Sequence, residues 1–277
     1  MILNANQELF IRIFAFIVVL LAMLAVEQLA PRRKPVMRTL QRRGNNLLLV
    51  LFNIILVRFM LPLTAVGVAE LGLYENWGLL NKFSAALPLA VIISLIVFDL
   101  ILYVQHFLLH KIPVLWCLHR VHHIDQDLDV TSGLRLHPFE VALSTFVRIT
   151  VVLLLGAPAL AVMIFEIVLN TSTMFNHGNI SIPVLLDRCL RWCIVTPDMH
   201  RVHHSIYLDE RDSNFGFNLS WWDRLFGTYR PQPRDGHRQM RVGLSEFSGK
   251  ITVNLMWLLF NPFLKPGENN EQMGNPV

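Results

Sequence analysis

Residues 83–123 read FSAALPLAVIISLIVFDLILYVQHFLLHKIPVLWCLHRVHH. The stretch 83–104 is apolar and uncharged until Asp99. That is about the length of helix that crosses a bilayer's hydrocarbon core. Histidines then follow at 106 and 110, and again at 119, 122 and 123. Spacings of three and four put side chains on one helix face, about a turn apart. A membrane helix therefore runs directly into a row of imidazoles. This predicts an all-α integral membrane protein with about four membrane helices or hairpin segments and a cytosolic helical cap that holds a histidine-rich dimetal site.

Composition agrees. Of 277 residues, 53% are hydrophobic and only 16% charged, and mean hydropathy is +0.46. Soluble domains average about 25% charged residues, so an ordinary soluble enzyme and a disordered chain are both excluded. The net charge of +4 does not point to nucleic acid, because six of the 24 basic residues lie between Arg32 and Arg43, just after an apolar run. That is the positive-inside pattern of a membrane protein. Cys117, Cys189 and Cys193 give no disulfide framework. Cys189 and Cys193, four apart as on one helix face, read as small buried hydrophobes rather than a redox pair, and a reducing compartment fits.

The first apolar stretch, 9–29, lacks a preceding positive cluster and a following small-residue cleavage site. It reads as a span with the N-terminus outside and residues 32–43 in the cytosol. A second stretch, 47–69, carries Arg58 near its middle; a charge there must face protein or snorkel. The third is 83–104. A fourth apolar region, 141–170, is too long for one crossing and is broken by Gly156-Ala157-Pro158. A hairpin there returns the chain to its starting side, as it must if His137 and His177 on its flanks share one site. Residues 251–264 are too short to cross and read as an interfacial helix, followed by a frayed tail. The domain division expected is 1–83 for the N-terminal spans and basic loop, 84–250 for the catalytic part, and 251–277 for the interfacial helix and tail.

Ten of the eleven histidines fall between 106 and 204. His106 and His110 form H-x-x-x-H. His119, His122 and His123 form H-x-x-H-H, and His200, His203 and His204 repeat it with the same Arg-Val filler. Imidazoles at i and i+4 can grip one metal. Eight of them are too many for one ion with open positions and suit two. Leaving that many polar rings buried without partners costs about 1–3 kcal/mol each, which coordination offsets. His177 is a candidate ninth ligand and His137 a further one. Asp99 and Tyr103 share the helix face of His106, so Asp99 is a candidate carboxylate behind a metal-bound imidazole. Asp198 and Glu140 have similar claims. Asp125, Asp127 and Asp129 read as a solvated turn, Asp223 as a partner of Arg224 or a helix cap, and His237 as a surface residue.

The three histidine groups, in this order, resemble the fatty acid hydroxylase/sterol desaturase superfamily of integral-membrane non-haem di-iron enzymes. Asp99, Tyr103, His106, His110, Pro113, Trp116 and His119 look like its first block. Arg135-Leu-His137-Pro138-Phe-Glu140 looks like its middle block, and Asn214-Phe-Gly216-Phe-Asn-Leu-Ser-Trp221-Trp222-Asp223-Arg224-Leu-Phe226-Gly227-Thr228-Tyr229 like its closing signature. The resemblance covers about 84–230. Phe107 departs from it, since many members carry Arg after the first histidine.

The resemblance implies two iron ions on the eight motif histidines and His177. It implies O₂-dependent hydroxylation or desaturation of a C–H bond in a fatty acyl, sterol or ether lipid, in what reads as a bacterial inner membrane. No flavin, haem or iron–sulfur motif occurs, so electrons must come from a separate reductase, ferredoxin or cytochrome. The layout is similar to bacterial sterol-desaturase-like proteins and to alkylglycerol monooxygenase. The latter uses tetrahydrobiopterin, which stays open here because no motif marks a pterin pocket.

Two other classes compete. A zinc membrane hydrolase wants H-E-x-x-H and a glutamate beside the histidines, and neither shows in the sequence. A metal transporter wants ionisable residues along a path through several spans, whereas these histidines cluster after the third. Hydroxylation and desaturation begin with the same hydrogen abstraction, so spacing does not choose between them.

Overall fold

The computed structural model describes residues 5–37, 39–61, 63–247 and 249–264. The tail from 265 onward, expected to fray, lies outside them. The described helices are, in order, α1 (Ala5–Leu29), α2 (Thr39–Met60), α3 (Ala65–Tyr74), α4 (Leu79–Lys82), α5 (Leu87–Lys111), α6 (Pro113–His123), α7 (Pro138–Leu155), α8 (Ala159–His177), α9 (Val184–Leu190), α10 (Pro197–His203), α11 (Leu208–Arg211), α12 (Trp221–Leu225), α13 (Gly236–Gln239) and α14 (Leu255–Phe260). Short 3-10 turns lie at Ser132–Leu134, Lys250–Val253 and Asn261–Phe263. Among the described residues there are isolated bridges but no named strand.

Among the described residues, five stretches are long and apolar enough to cross a membrane: Gln7–Leu29, Thr39–Lys82, Leu87–Lys111, Pro138–Leu155 and Ala159–His177. The protein is an all-helical membrane protein. Apolar side chains along α1, α2 and α5 face outward, Phe10, Phe14, Ile55, Phe59 and Ile92 among them. Lipid replaces water as the solvent for such a surface.

The sequence expectation for the second stretch needs correction. In place of one helix over 47–69, α2 begins at Thr39 and ends at Met60, and α3 starts afresh at Ala65 under a Thr64 cap. Arg58 therefore sits in the last turn of α2, just before the break between the two helices. The polar start Thr39–Asn46 is helical because it packs inward: Arg42 and Asn46 are buried and hydrogen-bonded.

The break at 156–158 is a helical hairpin. Gly156 closes α7 in the left-handed conformation, at φ +71°, and a Cβ there would lie 2.8 Å from the carbonyl of Trp77. Only glycine takes that conformation at no steric cost. Pro158 then starts α8. The two arms stand apart, joined by Arg148–Glu166 at 2.8 Å and packed on α3 and α5. A far core forms where Val66 and Ala69 meet Phe98, Val152, Val162 and Phe165.

The arms bring both histidine-bearing flanks to one end of the bundle. Prolines at the first turns of α6, α7 and α10 restart helices directly after bends. The end of α1 is tied to the same end: Arg32 N–H donates to Asn179 O at 3.0 Å, Ser181 N–H to Ala30 O at 2.8 Å, and Met23 packs with Met174 and Ile180. The basic linker after α1 thus lies on the histidine side of the membrane helices. The apolar patch after residue 250 has one face buried: Trp257 and Leu258 pack on Val121, Ile124 and Phe247, while Met256 and Phe260 are exposed.

Three other expectations are overturned. Asp125, Asp127 and Asp129 are buried rather than solvated. They wrap Arg42, whose guanidinium meets Asp125 at 2.9 Å, the Asp129 carboxylate and the Ser132 hydroxyl. Arg43 joins Asp129 to Glu27, and Asp127 accepts from the amides of Val36 and Met37. His237 is not a surface residue; it is buried beside Asp198 at 3.8 Å. Cys189 and Cys193 are exposed rather than buried.

Candidate metal centre

Nine histidines converge at the end of the bundle in two groups. His106, His110, His119, His123 and His203 form one; His122, His177, His200 and His204 form the other. Within each group the candidate ligand nitrogens all lie within 4.8 Å of one another. Four elements and one residue beyond them build the site. α5 presents His106 and His110 from its last two turns. α6 presents His119 and His123 to one group and His122 to the other. α10 and the residue after it divide the same way, His203 to the first group and His200 and His204 to the second. α8 adds His177 from its final turn. The two H-x-x-H-H motifs thus face each other and straddle both groups.

Ring orientation shows why these are not ordinary hydrogen-bonded histidines. His106 Nδ1–H donates to Phe215 O at 2.8 Å, and His119 Nδ1–H to Glu140 Oε1 at 2.8 Å. In neutral rings this leaves a lone pair on each Nε2, yet the two Nε2 atoms stand 3.1 Å apart. Two lone pairs at that distance repel unless a cation lies between them. Nitrogens bound to one transition metal at about 2.0–2.1 Å sit about 3 Å from each other. In the second group His177 Nδ1–H donates to Thr173 O, and its bare Nε2 lies 3.0 Å from the Nε2 atoms of His122 and His200, whose own Nδ1 atoms meet no partner. His200 and His204 Nε2 are 3.2 Å apart. Further buried ring nitrogens meet no hydrogen-bond partner, including both of His123 and Nε2 of His110 and of His203, while His110 Nδ1 has Asp212 Oδ1 at 3.4 Å. Buried polar atoms are rarely left so. The donor set, all imidazole, suits zinc, copper, iron or nickel. It fits two first-row transition metals.

Electrostatics keep the rings able to ligate. Burial, and then neighbouring histidines, holds His122, His123, His200 and His204 well below the ordinary histidine range; burial also lowers His203, with His106 and His110 adding to it. Neutral imidazole is the ligating form.

Backbone carbonyls set several rings, and no residue type marks them in the sequence. Phe215 O faces His106, and Ser213 O accepts from His203 Nδ1 at 2.8 Å. The turn that aims them has Asn214 in the left-handed region, φ 53°, pinned to Met199 O and to the main chain of Arg230. Asparagine is among the few residues that take that region readily. Asp223 holds the next two amides, Phe215 N–H at 2.7 Å and Gly216 N–H at 2.9 Å, rather than pairing with Arg224 or capping a helix. Burial pushes its carboxyl up to about 6.

The remaining sequence candidates fall outside the two groups. Asp99 touches no histidine; it accepts from Asn218, from Leu219 N–H and from Trp222 Nε1, and so anchors the closing signature to α5. Tyr103 hydrogen-bonds Thr228 and stacks on Phe226. His137 caps α7 and meets Leu259 O at 3.1 Å. Asp198 binds Arg32 and Arg201. Glu140, one of the candidate carboxylate partners, does stand beside the histidines: it faces the Nδ1 side of His119, away from His106, and so is not placed as a hydrolase base.

Residues 91–228 match the model of the fatty acid hydroxylase family. This chain belongs to the fatty acid hydroxylase superfamily. The ornithine lipid hydroxylase OlsE of Rhizobium tropici is 29% identical to this hydroxylase-family chain over 177 residues, 64% of this chain and 51% of that protein. The alkylglycerol monooxygenase of Xenopus tropicalis is 26% identical over 173 residues, 60% of this chain and 36% of that protein. The cholesterol 25-hydroxylase of Rattus norvegicus is 25% identical over 144 residues, 52% of this chain and 47% of that protein. The match thus spans about half or less of each of these relatives. No solved structure matches the chain. All nine histidines of the two groups in this fatty acid hydroxylase superfamily member fall inside the matched residues.

Proposed function

We propose that this protein is an O₂-dependent di-iron oxidoreductase that hydroxylates or desaturates a C–H bond of a membrane lipid. The carrying observation is the facing of the His106 and His119 Nε2 lone pairs at 3.1 Å in a buried pocket, beside a second group of four histidines whose nitrogens crowd as closely. The five-histidine and four-histidine groups would each hold one iron. Two bound irons would supply activation of O₂ for attack on an unactivated C–H bond.

The chain's own residues supply the rest. Glu140, Phe215 O, Thr173 O and Ser213 O fix four rings in the tautomer that turns Nε2 inward. His123, His200, His203 and His204 are buried, so bulk water is kept from the centre. α5, α7 and α8 lead from the hydrocarbon level to the histidines, so an apolar substrate reaches them without leaving the bilayer. Fatty acyl, sterol and ether lipids all suit that approach. Electrons come from a separate reductase, ferredoxin or cytochrome, with tetrahydrobiopterin as the alternative donor that the alkylglycerol monooxygenase likeness raises. The basic linker 32–43 on the histidine side favours a cytosolic site, an N-terminus outside and, for a bacterial chain, the inner membrane.

Metal stoichiometry and Mössbauer spectra of protein purified anaerobically from iron-replete cells test the reading. The expected result is about two coupled irons per chain. His122→Ala and His203→Ala should each lose metal and turnover together while the protein still inserts. One zinc with hydrolytic activity, or full iron in both variants, sinks it.

A further inference from the structure

We infer that the cleft between α5 and α7 recognises a neutral hydrogen-bonding group of a lipid, a hydroxyl or a secondary amide. This rests on the lipid-oxidising reading above and names what that substrate must carry. The cleft is narrow, with a free volume of about 10 Å³, room for one small polar group, and is lined by rings and aliphatic side chains, Phe98, Leu102 and Phe165 among them. Three polar residues interrupt that lining: Gln105 on α5, and Ser144 and Arg148 on α7.

Their hydrogen bonds are incomplete in a particular way. Gln105 Nε2–H donates to Ser144 Oγ at 2.5 Å, which leaves Gln105 Oε1 buried with no donor. Arg148, one turn beyond Ser144, gives Nη1–H to Glu166 Oε1 at 2.8 Å, and its Nε–H is buried with no acceptor. One acceptor and one donor therefore line the same apolar cleft unmet. Buried polar groups are normally partnered, and at membrane depth no water substitutes.

The charge at the site selects against an anion. Arg148 is neutralised by Glu166, whose other oxygen meets Arg12 at 2.5 Å, and Arg12 also meets Glu8 at 2.8 Å. The cluster holds two cations and two carboxylates. A carboxylate or phosphate brought there would add an uncompensated charge at a depth where charges are costly. A hydroxyl or secondary amide offers one donor and one acceptor, which matches what is left over.

The position ties this group to the chemistry. Gln105 immediately precedes His106, and Ser144 lies one turn past Glu140, the partner of His119. The cleft runs along the membrane-spanning side of the two helices that build and brace the five-histidine group. A polar group fixed at Gln105 and Arg148 would set which carbon of the attached chain reaches the metals.

The test uses the full chain in detergent micelles and equilibrium retention of five probes. These are hexadecan-1-ol, N-methylhexadecanamide, methyl hexadecyl ether, hexadecyl phosphate and hexadecane. The alcohol or the amide should be held about tenfold tighter than the ether, which only accepts, and the phosphate no tighter than the ether. Which of the two is tighter separates a hydroxyl-bearing lipid from an amide-linked one. In Gln105→Leu the advantage over the ether should fall below about twofold at unchanged metal content, since Gln105 ligates nothing. Alcohol, amide and ether within twofold of one another in the wild type overturns the site, whether or not the variant folds. So does a phosphate that binds tightest, or a Gln105→Leu that keeps the preference. Two irons without any preference would refute this site alone; a preference without iron would refute the oxygenase reading alone.

Discussion

The Nδ1–H of His119 donates to a Glu140 carboxylate oxygen at 2.8 Å. Glu140 is buried in the first turn of α7. It sits on the side of the ring away from the metal group. A carboxylate there fixes the ring's tautomer and raises its basicity as a ligand. Glu140→Gln should therefore weaken metal retention by the five-histidine group about 10- to 100-fold. Chelator titration with elemental analysis reads this. Retention equal to the wild type would show that Glu140 only packs.

Gly133 touches the other group. A Cβ there would fall 2.6 Å from Thr173 O and 2.7 Å from His177 Nδ1, the two atoms of the hydrogen bond that sets His177. Gly133→Ala should turn His177 away and empty the four-histidine group first. The expected readout is a fall from about two metals to about one, with the surviving Mössbauer signal that of the five-histidine group. Uniform loss of both metals would contradict the separate bracing of the two groups.

The metal-free protein should be acid-sensitive, with a definite sign. His122, His123, His200, His203 and His204 are held well below the usual range, and burial lowers His237 to about 4. Above an unfolded-state pKa of about 6.5 the rings are neutral in both states and their contribution is complete. As pH falls below that, the unfolded chain takes up protons that the buried rings refuse, and stability declines. Asp223, raised to about 6, has the opposite sign but is one group against several. The thermal midpoint of chelator-stripped protein should thus be lower at pH 5 than at pH 7.5. A flat or rising midpoint over that interval would count against neutral burial.

Arg42 bridges the carboxylates of Asp125 and Asp129 with all three side chains buried. Arg42→Met would strand two buried anions, and breaking such a pair costs about 3–5 kcal/mol. A marked drop in thermal midpoint and in folded yield is expected, measured by fluorescence-detected chromatography over a temperature series. A midpoint within two or three degrees of wild type would mean that water or Arg43 takes over the charge.

Much of this was readable from periodicity. The i, i+3, i+4 spacing of His119, His122 and His123 depends only on helix geometry, and Gly156-Ala157-Pro158 carries its own turn chemistry. The division of labour within each H-x-x-H-H was not readable, because it depends on how α6 and α10 face each other. The aspartates at 125, 127 and 129 look like a solvated turn in isolation, and their burial requires Arg42, some 85 residues earlier, to arrive from another helix. His237 follows the same logic: its neighbour Asp198 is distant in sequence. The ring-setting carbonyls of Thr173, Ser213 and Phe215 have no residue type to announce them; only the unusual Asn214 backbone and the two amides on Asp223 mark that turn.

The tie between the end of α1 and the loop after His177 bears on where this protein can be cut. Glu27 accepts the amides of Val130 and Asn179, and Arg42 and Arg43 fill the aspartate loop. A fragment trimmed to the family-matched residues would lose all three, leaving unmet amides and carboxylates directly beneath the four-histidine group. Similarity-drawn boundaries and the cooperative folding unit do not coincide here. Minimal expression fragments of this protein should therefore begin upstream of α1.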